Sequence, residues 1–315
     1  MSSELSQARL VERGDDEILA EQAELRTGLP TGKAKSMFRL GYEVFVQNRL
    51  AVVGIFVVVI FVLFCFIGPL VYHTNQVNTN LAIANQPPGA GHPLGTDEDG
   101  YDQLGRLMVG GQVSIIIGFA AAIVATIVGT LWGAIAGFFG GWVDSVMMRI
   151  VDSLLSIPVL FLLLVLVTIV RPNILVMILV LGLTSWLVPS RLVRGEALTL
   201  RVREYVQAVR VMGGSSWRAV SRHIIPNVAG TVIVNATFQV ADAILLIAYL
   251  GYLGLGLPAP QTDWGGMLSN GTNFAFLNYW WLIYPPGIAI ILVVIAVNFV
   301  GDGLRDAVEV RLQRR

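Results

Sequence analysis

The sequence predicts an all-α polytopic membrane protein with six transmembrane helices, and three observations carry that prediction. Of 315 residues 55% are hydrophobic and 13% charged, with a mean hydropathy of +0.70, whereas about a quarter of the residues of soluble domains are charged. Six apolar runs meet or approach the ~20 residues that a helix needs to cross ~30 Å of hydrocarbon. Of the 21 basic residues, only Arg106 and Arg171 fall outside when both termini are placed in the cytoplasm, a bias strong enough to set orientation.

Residues 1–35 mix charges with Gly28, Pro30 and Gly32 and show no sustained apolar face, which reads as a mobile cytoplasmic tail. Gly28 to Ala34, GLPTGKA, imitates a phosphate loop but lacks its glycine spacing, the Ser or Thr after the lysine, and a preceding strand. No nucleotide site is expected in this chain. In 36–49, Met37, Leu40, Val44 and Phe45 recur near helical spacing and predict an interfacial helix. The first transmembrane helix covers 50–71.

An extracytoplasmic segment follows over 72–112, rich in Asn, Pro and Gly. Its acids Asp97, Glu98, Asp99 and Asp102 lack the ligand alternation of a calcium loop and are expected in a solvated turn. Five more helices are expected within a core domain at 113–302: Val113–Phe139, Ser153–Val170, Pro172–Ser190, Ile224–Tyr252 and Tyr279–Val300. A cytoplasmic tail, 303–315, closes the chain. Cys65, the only cysteine, lies in an apolar run, so disulfides and thiolate metal sites are excluded. A net charge of zero argues against a nucleic-acid partner.

Ala121, Ala125, Gly129, Gly133 and Gly137 repeat every four residues and line one helical stripe on which another backbone can come close. The stripe does not say whether that partner lies in this chain. Arg149 and Asp152, three apart near Asp144, are placed to pair on one helical face. Asp242 falls in mid-span, where a carboxylate must be paired, protonated or wet; it either lines a pathway or bonds a neighbouring helix. Pro285 and Pro286 predict a kink or non-helical entry to the last span. The Gly251–Asn278 segment is expected to fold over the outer mouth, with Trp280 and Trp281 at the headgroup boundary. His73, His92 and His223 are scattered over both sides, and no nucleophile–base set emerges for a membrane enzyme.

The stretch from Arg203 to Asn227, REYVQAVRVMGGSSWRAVSRHIIPN, is a cytoplasmic insert between two spans. Glu204 to Met212 can form a short helix with an acid in its first turn, and Gly213 and Gly214 end it. Ser215 or Ser216 can cap a second helix that reaches His223 and stops before Pro226. Ala208 and Gly213 keep its profile low, so that another protein's backbone can approach.

In this insert the spacing of Glu204, Ala208, Gly213 and Pro226 resembles the "EAA" coupling loop of ABC importer permeases. With His223 and Asn227 it is similar to the C-type permease of the dipeptide and oligopeptide importer family. NRLAVVG at Asn48–Gly54, HPLGTD at His92–Asp97, Met148 and Arg149 followed by Asp152 and Pro158, YLGLGLPAP with Trp264 and Gly265, and GDGLRDA at Gly301–Ala307 extend the match. It covers nearly everything beyond residue 35. Tyr101 stands where the family usually has arginine, Gly111 and Gln112 where Ala and Arg are common, and Ile247 where a glutamate is typical. These departures fall on the outer half.

The resemblance implies a type I ABC importer permease fold in a bacterial cytoplasmic membrane and a chain that catalyses no covalent chemistry. It implies a homologous second permease, two ABC ATPase subunits that bind ATP and Mg, one of them docking on loop 203–227, and an extracytoplasmic substrate-binding protein. The coupling residues would be Glu204, Ala208, Gly213, Gly214, His223 and Pro226. Cargo would be peptide; another small solute such as a metal chelate, or an ion-coupled secondary transporter working through Asp242, are the alternatives.

Overall fold

Charge-free stretches become long helices here, and prolines break or bend them only where no other device absorbs the lost hydrogen bond. The computed structural model describes residues 37–313, so the tail 1–35 and the Gly28–Ala34 look-alike lie outside the described residues. Helix α1, Met37–Gln47, gives way at Asn48. There the Asn48 side chain accepts from the Ala51 N–H and starts α2, Arg49–Phe66, as an N-cap should. A short α3, Gly68–Val71, completes a 23-residue span. From Gly41 onward the chain forms one compact unit.

The next helix, α4, is Gln103–Phe139, ten residues longer at its outer end than the apolar run suggests. Asp102 caps it by accepting from the Gly105 N–H at 2.8 Å. Arg106, whose charge marked the apparent limit of the span, is 5% exposed because the outer loops surround it. The expected extracytoplasmic segment 72–112 therefore ends inside a helix. Its remainder is held in turns and a short 3-10 turn at Leu81–Ile83.

The third and fourth spans differ from expectation. Instead of Ser153–Val170 there are α5, Gly141–Leu155, and α6, Val159–Ile169, meeting at 84°. Pro158 disfavours helical backbone in the residue before it, and neither apolar flank reveals the break. Instead of Pro172–Ser190 there are α7, Ile174–Ser185, and α8, Leu187–Leu200, bent by 43° at Trp186 with Pro189 just beyond. By length and composition four helices can cross a membrane, or up to six if each bent pair is one span.

After the insert, helix α11, Ile225–Tyr252, returns to the outer side. There Asp263 caps α12, Trp264–Thr272, through the Gly266 N–H at 2.9 Å, and α13 runs from Trp280 to Gln313. Pro285 and Pro286 lie inside α13, so the entry to the last span is helical. They are its sixth and seventh residues, so only the carbonyls of Trp281 and Leu282, near the helix start, lose their donors. Helix also continues through most of the expected tail 303–315.

Helix α4 is the centre of the molecule, packed by α7, α8 and α11. A Cβ on Gly129 would meet Pro189 Cβ at 2.7 Å and Trp186 O at 2.8 Å, and one on Gly137 would meet Ala197 Cβ at 2.7 Å. Gly133 faces Ser190 O and Val193 in the same way, and Ala121 O lies beside Gly182 of α7. Ala125 is fully buried. The stripe's partner is thus the bent α7–α8 pair of this same chain.

Candidate functional site

Two places gather the residues singled out above: the insert at one end of the helices and a cavity halfway along α11. In the insert, α9 covers Glu204–Val211 and ends in a Schellman motif: Gly213, at φ +78, turns the chain, and the Gly214 N–H returns to Val209 O at 2.8 Å. A residue with a side chain resists that left-handed conformation. Ser215 then accepts from the Arg218 N–H at 3.2 Å and caps α10, Ser216–Ala219.

The second helix of the insert does not stop before Pro226. Val220–Ile224 winds as a π-helix whose last bond runs from the Ile225 N–H to Val220 O, and helical structure continues without a break from Ser216 to Tyr252. One extra residue in the turn takes up the missing proline donor. Tyr205 and His223, 6.2 Å apart between ring centres, join the two arms.

One side of the insert is closed. Val206, Ala219, Val220 and Ile224 are fully buried against Ala134 and Phe138 of α4 and Val193 and Ala197 of α8. The other side is bare: Glu204, Ala208 and Pro226 are exposed, and Val211, Met212 and Trp217 are 88%, 78% and 58% exposed. Charge therefore marks the insert less than uncovered apolar surface does.

Beside it, Arg194 grips Asp144 with two hydrogen bonds of 2.5 and 2.6 Å, and Arg191 pairs with Asp152. The expected partner of Asp152 was Arg149; the arginines of α8 take its place because α5, which carries both acids, packs beside that helix.

At the outer end, Asp97 and Asp102 are not in a solvated turn. Asp102, 3% exposed, accepts from the Tyr72 hydroxyl at 2.9 Å and lies 2.9 Å from His92 Nδ1. Asp97 accepts from the Tyr101 N–H at 2.8 Å and faces Arg106 Nε at 3.6 Å. Burial pushes the Asp97 carboxyl above its ordinary pKa, against the pull of the Tyr101 N–H and Arg106. Arg106 also donates to Pro260 O at 2.6 Å and lies 4.1 Å over the Tyr101 ring. Among the described residues no group of three or more His, Cys, Asp or Glu is arranged to hold a metal.

The departures from the family pattern are structural parts of this face. Tyr101 is a buried platform under Arg106 with its hydroxyl on Val77 O at 3.1 Å. Gly111 leaves room for Cys65 and Trp264, and Gln112 donates to Cys65 O at 2.7 Å. Ile247 is fully buried against residues of α4, α6 and α7. Trp281, expected at the headgroups, is also buried and donates to Thr96 O at 3.3 Å.

Asp242 is exposed on α11 and borders a cavity of about 390 Å³ that also reaches Asn235, Gln239, Thr184 and Ile157. Gln239 donates to Ser185 O at 3.1 Å, at the α7–α8 bend. Polar residues at 235, 239 and 242 were the available sign of this wall, since such spacing keeps them on one helical face.

Residues 129–314 match the family described as "Binding-protein-dependent transport system inner membrane component". Residues 36–88 match "N-terminal TM domain of oligopeptide transport permease C". The oligopeptide transport system permease protein OppC of Escherichia coli (strain K12) is 40% identical over 279 residues, 88% of this chain and 92% of that protein. Its Bacillus subtilis (strain 168) namesake is 38% identical over 90% of this chain and 92% of its own length. The dipeptide transport system permease protein DppC of Bacillus subtilis (strain 168) is 35% identical, covering 85% and 84%.

The chain belongs to the C-type permeases of binding-protein-dependent ABC transport systems. As such it is a multi-pass inner-membrane transport subunit without catalytic chemistry. The permease's insert and cavity both fall within the longer match, whereas Tyr101, Gly111 and Gln112 lie between the two matched stretches.

Proposed function

We propose that this permease forms, with a homologous second permease, the membrane path of an ATP-driven peptide importer, both termini being cytoplasmic. Cargo arrives from an extracytoplasmic binding protein. Two ATPase subunits carry ATP and Mg, and one of them docks on the 203–227 loop through Glu204, Ala208, Gly213, Gly214, His223 and Pro226. Closure of the ATPases on ATP would drag the docked loops and turn the helices from inward-open to outward-open, and hydrolysis would reset them. The single observation that carries this reading is the two-sidedness of the insert, closed onto its own helices on one side and apolar and bare on the other.

Peptide cargo is supported by the oligopeptide and dipeptide systems to which the similar permeases belong. The broken helix pairs and Asp242 would also suit an ion-coupled carrier, but membership of a binding-protein-dependent family favours the ATP-driven reading. The test is reconstitution of the complete complex in liposomes with ATP inside. Peptide uptake should require ATP and binding protein, and Met212→Glu with Trp217→Glu should abolish ATPase attachment. Uptake by the purified chain alone on an ion gradient would sink the proposal.

A further inference from the structure

Three features that have no reason to coincide meet at the cavity on α11. The first is Asp242, some ten residues from the outer end of α11, about 15 Å at the helical rise and so near the middle of a ~30 Å hydrocarbon core. Among the described residues it accepts no hydrogen bond. Facing lipid, a carboxylate there would cost about 3 kcal/mol or more. The second and third are the α5–α6 and α7–α8 breaks, whose Leu155, Ile157, Ser185 and Leu187 border the same cavity. Irregular backbone at membrane depth is tolerated only where protein or a wet cavity surrounds it. Gln239 already serves the carbonyl of Ser185 at one break, leaving Asn235 and Asp242 to face the space on either side of it.

The rest of the wall is mostly apolar, its polar members Thr184, Ser185, Asn235, Gln239 and Tyr249 being uncharged, and Asp242 is the one charged side chain among the described residues lining it. Helix α11 has no basic residue at all. A lone negative charge in such a wall attracts a cation and repels a carboxylate more strongly than it would in water.

We infer that the Asn235–Gln239–Asp242 face of α11 lines the solute path and that Asp242 selects by charge, favouring cargo that presents a protonated amine there. This rests on the proposed importer function, since the face is completed by the second permease. It assigns to the permease itself a share of the selection otherwise left to the binding protein.

The test uses the complete complex in liposomes with two tripeptides that differ only in a central Lys or Glu. Wild type should favour the Lys peptide, and Asp242→Asn and Asp242→Ser should shift the uptake ratio towards the Glu peptide by about tenfold. Because the only native cysteine, Cys65, is buried, an Asp242→Cys variant can be probed without removing it. A membrane-impermeant thiol reagent should label this chain, and excess peptide should protect it.

An unchanged ratio in an assembled complex overturns the inference even if labelling occurs, and so does absence of labelling. Failure of both Asp242→Asn and Asp242→Ser to assemble also overturns it, in favour of an ion pair with the second permease. Were wild type to take up neither peptide, the importer function would fall and this inference with it; uptake with an unchanged ratio would leave that function standing.

Discussion

The outer and inner ends of this permease handle polarity in opposite ways. At the outer end Asp102 and Arg106 are buried and answered within the chain, Arg106 by Asp97, Pro260 and the Tyr101 ring. At the insert the charges are at the surface and the apolar Val211, Met212 and Trp217 are uncovered. A region that satisfies itself is a lid; one that leaves its apolar face unanswered is prepared for something else. The contrast supports the proposed ATPase contact better than the count of arginines does.

The largest effect should come from the closed end. Arg106→Ala strands a buried carboxylate and a carbonyl and is expected to destabilise the fold by about 3–5 kcal/mol, read as a lowered thermal midpoint of the complex by tryptophan fluorescence. A loss no greater than about 1 kcal/mol, the worth of an exposed pair, would mean that the outer end is not closed as described. At the insert, Gly213→Val forces a branched residue into left-handed backbone at a cost of about 1–2 kcal/mol. No atom lies within 4 Å of where its Cβ would be, so the damage should be a misdirected loop, seen as ATP hydrolysis that continues while peptide uptake falls. Normal coupling in that variant would remove Gly213 from the docking surface.

Smaller in stability, and sharper as a contrast, is Trp217→Ala. Removing a side chain that is more than half exposed should change stability by no more than about 0.5 kcal/mol while weakening ATPase attachment. A large loss of stability with attachment intact would reverse the assignment of open and closed faces. The smallest effect concerns acid. Burial raises the pKa of Asp97, and burial followed by Asp99 and Asp97 raises that of Glu98, above the ordinary 3.8 and 4.5. The folded state therefore holds these protons more tightly, and their contribution to stability should be greatest below those values and decline as pH rises through the raised ones. Asp97→Asn should flatten that decline in a series of melting curves; an unaltered slope would assign it elsewhere.

How much was legible follows from how local each signal is. Four spans could be read because an uncharged run of sufficient length has few other uses. The breaks at Ser156–Pro158 and Trp186 could not, because apolar sequence continues across them and only the meeting of α5 with α8 makes the bends worthwhile. Pro226 misled for the opposite reason: proline is a reliable stop unless a π-helical turn accommodates it. The acids at 97 and 102 looked wet because what encloses them is remote in sequence, Tyr72 beside Asp102 and Pro260 beside the Arg106 that faces Asp97. The insert was readable at the glycine turn and, to within the pair Ser215 and Ser216, at the cap that follows, where turn chemistry is local, and silent about which of its faces is buried.

The unbroken helix from Ser216 to Tyr252, 37 residues and about 55 Å long, has a mechanical meaning. Its near end carries Trp217, and Asp242 lies about three-quarters of the way along it. With no hinge between them, a few degrees of rotation imposed at one cannot be absorbed before it reaches the other. On the proposed function, the stroke of the engine and the charge that meets the cargo would be machined on one shaft.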